Sequence, residues 1–393
     1  MADLLLDAGI VVTAVAIAGA VAWRFGQSVI PAYLLVGLLI GPFGPSAGGL
    51  SLSLVEESEF IELFAELGIV FLLFFIGVEF SLEELFAEPD RILRAGGIDF
   101  VVNAGLGAVL GLALGLGPVG ALFLGAVLYP SSSAVVTKSL SDLGWIADPE
   151  SEAIIGTLVV EDVVAAVYLA VLAAIALGDA GGGVLLSLAE SGLLLVGFVL
   201  LATLGGRLVE RLFDAESDEL FLLRVVGATA LLSGFALQSG VSEAVAAFFV
   251  GAAISETDLK LRLERVLAPA RDLFAAVFFF AVGLETDPGA VAGVAPPLAV
   301  GVLAGVLAKV GSGYLGGRAF GLDDRRSLRV GLGLTARGEF SLVVAALAAG
   351  MTGVVGDFVP AFAVGYVLVT SVLGTLLMRY SGRIERAVAS RAG

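Results

Sequence analysis

The chain has 393 residues, of which 59% are hydrophobic and 15% charged, with a net charge of −17, no cysteine and no histidine. Soluble domains carry about 25% charged residues, so this composition predicts a polytopic membrane protein. It excludes disulfides and thiolate metal sites, argues against nucleic-acid binding, and leaves proton transfer to carboxylates, Lys or Tyr.

The N-terminus, MADLLLDAGIVV, contains acids and no Lys or Arg ahead of the first apolar run. A signal peptide needs a basic start, so we expect this segment to be retained as a first span. Apolar windows between Gly, Pro and charge clusters predict thirteen transmembrane spans in all. They lie near residues 4–22, 28–43, 60–80, 95–115, 118–140, 152–177, 183–206, 219–238, 241–255, 267–285, 290–317, 327–350 and 357–378.

The positions of the basic residues predict the topology. Nineteen of the 21 Lys and Arg residues fall in or beside every second connection or in the C-terminal tail. The positive-inside rule makes this side cytoplasmic, with the N-terminus outside, in the inner or plasma membrane of a prokaryote. The other two, Lys309 and Arg337, fall inside predicted spans.

An internal repeat is visible at an offset of 206 residues. It aligns LLFFIGVEF (72–80) with FFFAVGLET (278–286), and PSSS (130–133) with ARGE (336–339). Spans one to six then correspond to spans eight to thirteen, and residues 183–211 supply a linker helix. Because seven is odd, the second repeat enters the membrane from the opposite side, a common plan in secondary transporters. The predicted fold is an all-α polytopic membrane protein with two inverted-topology repeats of six helices plus a linker.

Both predicted crossing helices, spans five and twelve, are interrupted by polar residues. In LYPSSSAVVTKSL, Pro130 removes a backbone donor and is followed by Ser131, Ser132 and Ser133. Discontinuous helices expose half-helix ends and free carbonyls that suit ion coordination. The alternatives are a harmless proline kink and serines that serve only as small packing residues.

The break in span twelve, LGLTARGEFSLVV, contains Arg337 and Glu339. These two side chains either satisfy each other or cap the two half-helices. We expect that supporting role rather than direct ion binding.

Glu161 and Asp162 lie in the middle of span six. A charge at the membrane centre costs about 2.5–3.5 kcal/mol, so such acids usually face a partner or a watery cavity. Adjacent helical residues point about 100° apart. One acid can therefore hold a structural partner while the other faces an ion path. A carboxylate must lose its proton to bind a cation, which makes Asp162 a candidate site for competition between H⁺ and Na⁺ or K⁺, with serine hydroxyls completing an oxygen shell.

Lys309 is the predicted counter-charge, because a buried amine needs one. We predict Glu161 as its partner, with Asp162 as the alternative when protons are loaded. The competing interpretation is that the amine snorkels toward the interface. Asp99 and Asn103 also lie in a span, and the sequence offers no partner for either; the same holds for Glu190 and Glu243.

With GTLVVEDVVAAVYLAVL, YPSSSAVVTKSLSDLG, LFFIGVEF, FFFAVGLETD, VLAKVGSGYLGGRAFG and GLTARGEFSLVV, the chain resembles the monovalent cation:proton antiporter-2 family. That family includes prokaryotic Na⁺/H⁺ antiporters and the membrane part of glutathione-gated K⁺ efflux systems. The resemblance implies a homodimer, with residues 1–85 and 219–288 as the dimerisation scaffold. Residues 91–177 and 290–380 would form an ion-transporting core that moves by an elevator mechanism. The second acid of the pair, here Asp162, would carry the ion; the first is often Asp, Gln or Asn, where this chain has Glu161.

The resulting expectation is a secondary antiporter that exchanges Na⁺, Li⁺ or K⁺ for H⁺. K⁺/H⁺ exchange is the alternative, and an organic-anion symporter or a channel fits less well. We expect no enzymatic activity, no cofactor beyond the transported ions, and no nucleotide-binding domain attached to this chain.

Overall fold

The computed structural model describes residues 2–44, 46–47, 50–55, 58–79, 89–177, 206–238, 243–255 and 257–392. In chain order the helices are α1 (Ala2–Arg24), α2 (Val29–Ile40), α3 (Glu59–Glu79), α4 (Pro89–Ala113), α5 (Gly117–Leu128), α6 (Ser133–Asp142), α7 (Pro149–Leu177), α8 (Gly206–Phe213), α9 (Asp218–Gln238), α10 (Glu243–Ala252), α11 (Lys260–Leu284), α12 (Pro288–Gly293), α13 (Ala295–Ala319), α14 (Asp324–Gly333), α15 (Glu339–Ala349), α16 (Val354–Arg379) and α17 (Ser381–Ala392). Two short antiparallel strands, β1 (Ser46–Ala47) and β2 (Leu50–Ser51), form a hairpin.

The all-α membrane fold predicted from the sequence is confirmed. Within the described residues, nine helical segments are long and apolar enough to cross a membrane, counting α5 and α6 as one, and α2, α10 and α15 are shorter apolar helices. These and α14 account for twelve of the predicted spans. The seventh, near 183–206, lies almost entirely in 178–205, outside the described residues, so the count of thirteen stays a prediction.

The chain divides into two compact units, and the first comprises residues 1–16, 36–81 and 166–285. Its centre is α3, which packs against α10 and α11. Backbones touch where glycines meet carbonyls. A Cβ added at Gly77 would lie 1.9 Å from the oxygen of Phe248, and one at Gly251 would lie 1.9 Å from that of Phe74. Small residues at such positions let membrane helices approach closely.

The second unit comprises residues 17–35, 82–165 and 286–393. Within it α4 packs against α5 and α13, α13 packs against α14, and α15 packs against α16 and α5. The approach of α13 to α14 depends on a pair of glycines, because a Cβ on Gly313 would lie 2.5 Å from Cα of Gly331. The roles of scaffold and ion-transporting core stay predictions.

The helix boundaries of the second unit repeat at the offset read from the sequence. A shift of 206 carries α4 onto 295–319, the range of α13, and carries α5 onto 323–334, against 324–333 for α14. The same shift carries α6 onto 339–348, against 339–349 for α15. The two breaks therefore occupy equivalent positions in two equivalent pairs of half-helices.

Candidate ion site

The two helix breaks contact each other through their backbones. The first runs from the end of α5 at Leu128 to the start of α6 at Ser133, and the second from Gly333 to Glu339. The N–H of Ser132 donates to the carbonyl of Ala336 at 2.9 Å. Non-helical backbone at membrane depth requires such internal partners, because lipid supplies none.

Arg337 supplies donors to carbonyls at the ends of two half-helices. Its Nε donates to the carbonyl of Leu128 at 3.1 Å, and its Nη1 donates to that of Leu334 at 2.9 Å. The same Nη1 lies 3.4 Å from the carbonyl of Thr335 and 3.4 Å from Oγ of Ser131. The side chain is 1% exposed. A cation beside helix C-terminal carbonyls is electrostatically favourable, so this geometry is that of a cap.

Glu339 has the complementary role at the start of α6. The hydroxyl of Ser132 donates to Glu339 Oε2 at 2.6 Å, and the backbone N–H groups of Ser133 and Ala134 also bond to this carboxylate. An anion at a helix N-terminus is stabilised by the unpaired N–H groups there. Of the two roles predicted for Arg337 and Glu339, these contacts are those of capping.

Glu161 projects from the middle of α7 toward the first break and is fully buried. Its Oε2 accepts a short hydrogen bond from the N–H of Ser131, and its Oε1 lies 3.1 Å from Oγ of that serine. Oε1 also accepts from Lys309 Nζ at 2.9 Å. Pro130, which has no N–H, directly precedes the serine whose N–H holds Glu161.

Lys309 is buried inside the second unit, and its side chain is 0% exposed, so its ammonium does not reach water. Its ammonium reaches three acceptors: Asp99 Oδ2 at 2.5 Å, Glu161 Oε1 at 2.9 Å and the carbonyl of Tyr129 at 3.0 Å. The structure thus brings Lys309 and Glu161 together, as the sequence predicted. The snorkelling interpretation is wrong for this structure.

Asp99 and Asn103 are the site residues for which sequence reasoning found no role. Asp99 Oδ1 accepts from Ser312 Oγ at 2.7 Å and from Asn103 Nδ2 at 2.9 Å, while its other oxygen holds Lys309. Asn103 Nδ2 also lies 3.0 Å from Ser312 Oγ. A signal was present in the repeat, since the offset of 206 places Asn103 over Lys309 and so makes their two helices equivalent.

Asp162 has different surroundings from its neighbour. It is half-buried, and the hydroxyl of Ser133 lies 3.2 Å from each of its carboxylate oxygens. Ser133 is the first residue of α6, so Asp162 lies beside the start of a half-helix. Hydroxyl and carboxylate oxygens are the ligands that hard cations prefer.

Comparisons with known proteins agree on one kind of transporter. A family model described as "Sodium/hydrogen exchanger, transmembrane" matches residues 10–379. The chain is 37% identical to the K(+)/H(+) antiporter subunit KhtU of Bacillus subtilis, over 98% of this chain and 95% of that protein. It is 32% identical to the ammonium/H(+) antiporter subunit AmhT of Alkalihalophilus pseudofirmus, over 97% and 94%. The sodium proton antiporter MjNhaP1 from Methanocaldococcus jannaschii shares the fold, with a TM-score of 0.70, 17% identity and 98% of each chain covered.

Proposed function

Because the chain belongs to the sodium/hydrogen exchanger family and is a cation/proton antiporter, we propose that a monovalent cation and a proton compete for Asp162. The observation that carries the proposal is the difference between the two neighbouring acids. Glu161 is fully buried and bonded to Ser131 and Lys309, whereas Asp162 is half-buried beside the hydroxyl of Ser133. Competition for one carboxylate couples the two fluxes, because the group must lose its proton to bind the cation.

The serines of the first break divide between support and ion binding in this proposal. The hydroxyl of Ser131 faces Glu161 and the carbonyl of Leu334, and that of Ser132 faces Glu339. We assign these two to positioning the acids. Ser133, beside Asp162, is the candidate ligand that joins the carboxylate in the oxygen shell.

Proton-coupled exchange in proteoliposomes tests the assignment. Asp162→Asn is expected to abolish cation-driven changes in lumenal pH while the purified protein keeps its thermal stability. The matched control is Asp142→Asn, which removes an exposed carboxylate paired with Lys138 at 3.0 Å and is expected to leave exchange intact. Exchange that survives in Asp162→Asn at the rate of the control would refute the proposal.

The same assay decides the cation. The sequence favours Na⁺, with Li⁺ and K⁺ as further candidates. K⁺ is the second candidate because the Bacillus relative is named a K(+)/H(+) antiporter subunit, and NH₄⁺ is a useful third arm because the Alkalihalophilus relative is named an ammonium/H(+) antiporter subunit. The ion that moves lumenal pH at the lowest concentration is the substrate.

We propose further that the second unit carries the ion as one body in an elevator-type movement, in a homodimer. The charged residues of the site all belong to that unit, which supports the first part. The orientation proposed is N-terminus outside and C-terminus cytoplasmic in the plasma membrane. The chain lacks cysteine, so single cysteines at two exposed helix-capping aspartates, Asp287 and Asp323, test it. An impermeant thiol reagent added to whole cells is expected to label the first and not the second.

A further inference from the structure

Asp99 accepts more hydrogen bonds than its ion pair with Lys309 alone would supply. It is 1% exposed, and both of its carboxylate oxygens are occupied by donors from the described residues. Ser312 and Asn103 bond to Oδ1 at 2.7 and 2.9 Å, and Lys309 bonds to Oδ2 at 2.5 Å. Its conformation is fixed before any contribution from Glu161.

Lys309 consequently has two buried carboxylates for one ammonium. Its three N–H donors match three acceptors, Asp99, Glu161 and the carbonyl of Tyr129. One carboxylate is enough to balance the charge. If the bond from Lys309 to Glu161 broke, the ammonium would still be bonded to Asp99 and to the carbonyl of Tyr129. Without Asp99, the same step would leave the buried ammonium without either carboxylate, which is strongly unfavourable.

The repeat places this arrangement at the contact between two equivalent helices. Lys309 occupies in α13 the position that Asn103 occupies in α4, at the offset of 206. Asp99 lies one turn before Asn103 and Ser312 one turn after Lys309, so the polar groups face one another across the α4–α13 contact. Glu161 comes to this cluster from a third helix, α7, and is the member adjacent in sequence to the proposed carrier.

We propose that Asp99 is a positioning residue, a permanent counter-ion that keeps Lys309 in place while Glu161 releases the ammonium and turns to the cation bound at Asp162. The inference rests on the proposed function and adds a second carboxylate to the loaded site. Glu161 and Asp162 are adjacent on α7, and the proposed movement is a change of the Glu161 side-chain rotamer that exchanges its bond to Lys309 for the cation. Asp99 affects the cation through Glu161 and does not touch it.

The test compares Asp99→Asn with Asp90→Asn in proteoliposomes. Asp90 is an exposed aspartate in the first turn of the same helix, so the second variant controls for loss of an acid from α4. Asp99→Asn leaves Glu161 as the remaining carboxylate for Lys309 and is expected to raise the KM for the cation about tenfold, with the rate at saturating cation retained. Asp99→Glu is expected to restore part of the affinity. Equal KM values for the two Asn variants would overturn the proposal.

A double-mutant cycle separates a route through Glu161 from a general disturbance. Coupled residues give non-additive effects, so in a Glu161→Gln background Asp99→Asn is expected to change KM by less than about twofold. The same tenfold factor in both backgrounds would mean that Asp99 acts independently of Glu161, and the inference fails.

Ser312→Ala keeps the test decisive if Asp99→Asn does not fold, because it preserves every charge and removes one bond to Asp99. It is expected to raise KM in the same direction by a smaller factor, and an unchanged KM would count against the proposal. Failure of the proposed function looks different, since Asp162→Asn would then retain exchange whatever the Asp99 variants do.

Discussion

Replacing Lys309 with methionine tests the buried charge network most directly. Methionine is similar in length and keeps the packing of the stem, but it removes the ammonium that two carboxylates share. Asp99 and Glu161, at 2.5 and 2.9 Å from Nζ, would be left as two buried anions without that partner. Since the three side chains are 0–1% exposed, water cannot replace the lost contacts.

The expected loss is large because the pairs are buried. Breaking a buried ion pair by removing one partner costs about 3–5 kcal/mol. At about 2 °C of melting temperature per kcal/mol, the lower end expected for larger domains, the variant should melt about 6–10 °C below the wild type. Lys138→Met is the matched control, because Lys138 forms an exposed pair with Asp142 within one helix. Such pairs contribute about 0.3–0.5 kcal/mol, a shift of about 1 °C.

A second substitution tests the direction of the change in stability. Adding Asp99→Asn to Lys309→Met removes one of the two unbalanced anions, so the double variant is expected to melt higher than Lys309→Met, by about 1–3 kcal/mol in stability. Thermal unfolding in detergent is measured for five purified proteins: the wild type, Lys309→Met, Asp99→Asn, the double variant and the Lys138→Met control. If the double variant loses the full sum of the two single losses, the ammonium is not what balances these carboxylates, and the network described above is wrong.

Two further perturbations test the helix contact and the tail of the second unit. Gly313→Ala would place a methyl group 2.5 Å from Cα of Gly331 in α14, so it is expected to lower the melting temperature. Gly311→Ala is the control, because its methyl group would meet nothing within 4 Å and should not change the melting temperature. Equal shifts in the two variants would contradict the packing. Burial alone would raise the pKa of Glu385, but hydrogen bonds from two arginines of α14, including Arg329 at 2.7 Å, hold it below its ordinary value. Its contribution to docking of α17 is therefore present at neutral pH and lost as the pH falls through that lowered pKa. A spin label on a cysteine at Gly382 should become mobile when the pH falls below the pKa of Glu385. In the Glu385→Gln variant the label should already be mobile at neutral pH. Equal mobility in the wild type and in Glu385→Gln at neutral pH would refute the contact.

The sequence predicted the helices of the second unit well because their signals are local. Hydropathy, Pro130 and the polar runs at the two breaks each depend on a few neighbouring residues, and membrane-spanning backbone has few structural alternatives. The offset of 206, read from short matches, carries α4 onto the observed range of α13. The pairing of Lys309 with Glu161 also followed from a local argument, since a buried amine needs an acid and few acids lie inside spans.

Asp99 was missed because its role depends on which helices touch. It lies 210 positions from Lys309 along the chain, and nothing in the residues around it states that α4 packs against α13. The repeat contained part of that information. Equivalent helices that carry polar residues at the same position, Asn103 and Lys309, are candidates for a shared contact, and Asp99 and Ser312 lie one turn from them.

The proposed function divides the charges of the second unit into a fixed group and an exchangeable one, which would give the two adjacent acids different tasks. Arg337 satisfies carbonyls at two half-helix ends and Glu339 satisfies a helix start, so polar groups at both breaks have protein partners. Lys309 pairs with both Asp99 and Glu161, so it would keep one carboxylate if Glu161 turned away. Asp162, half-buried beside the hydroxyl of Ser133, is the carboxylate at which the proposed function places the change of charge on loading. In that proposal, a cation or a proton at Asp162 alters one charge, and Lys309 keeps its bond to Asp99 even when Glu161 turns to the cation. The two ions could then exchange for each other at a single carboxylate without leaving the buried ammonium unpaired.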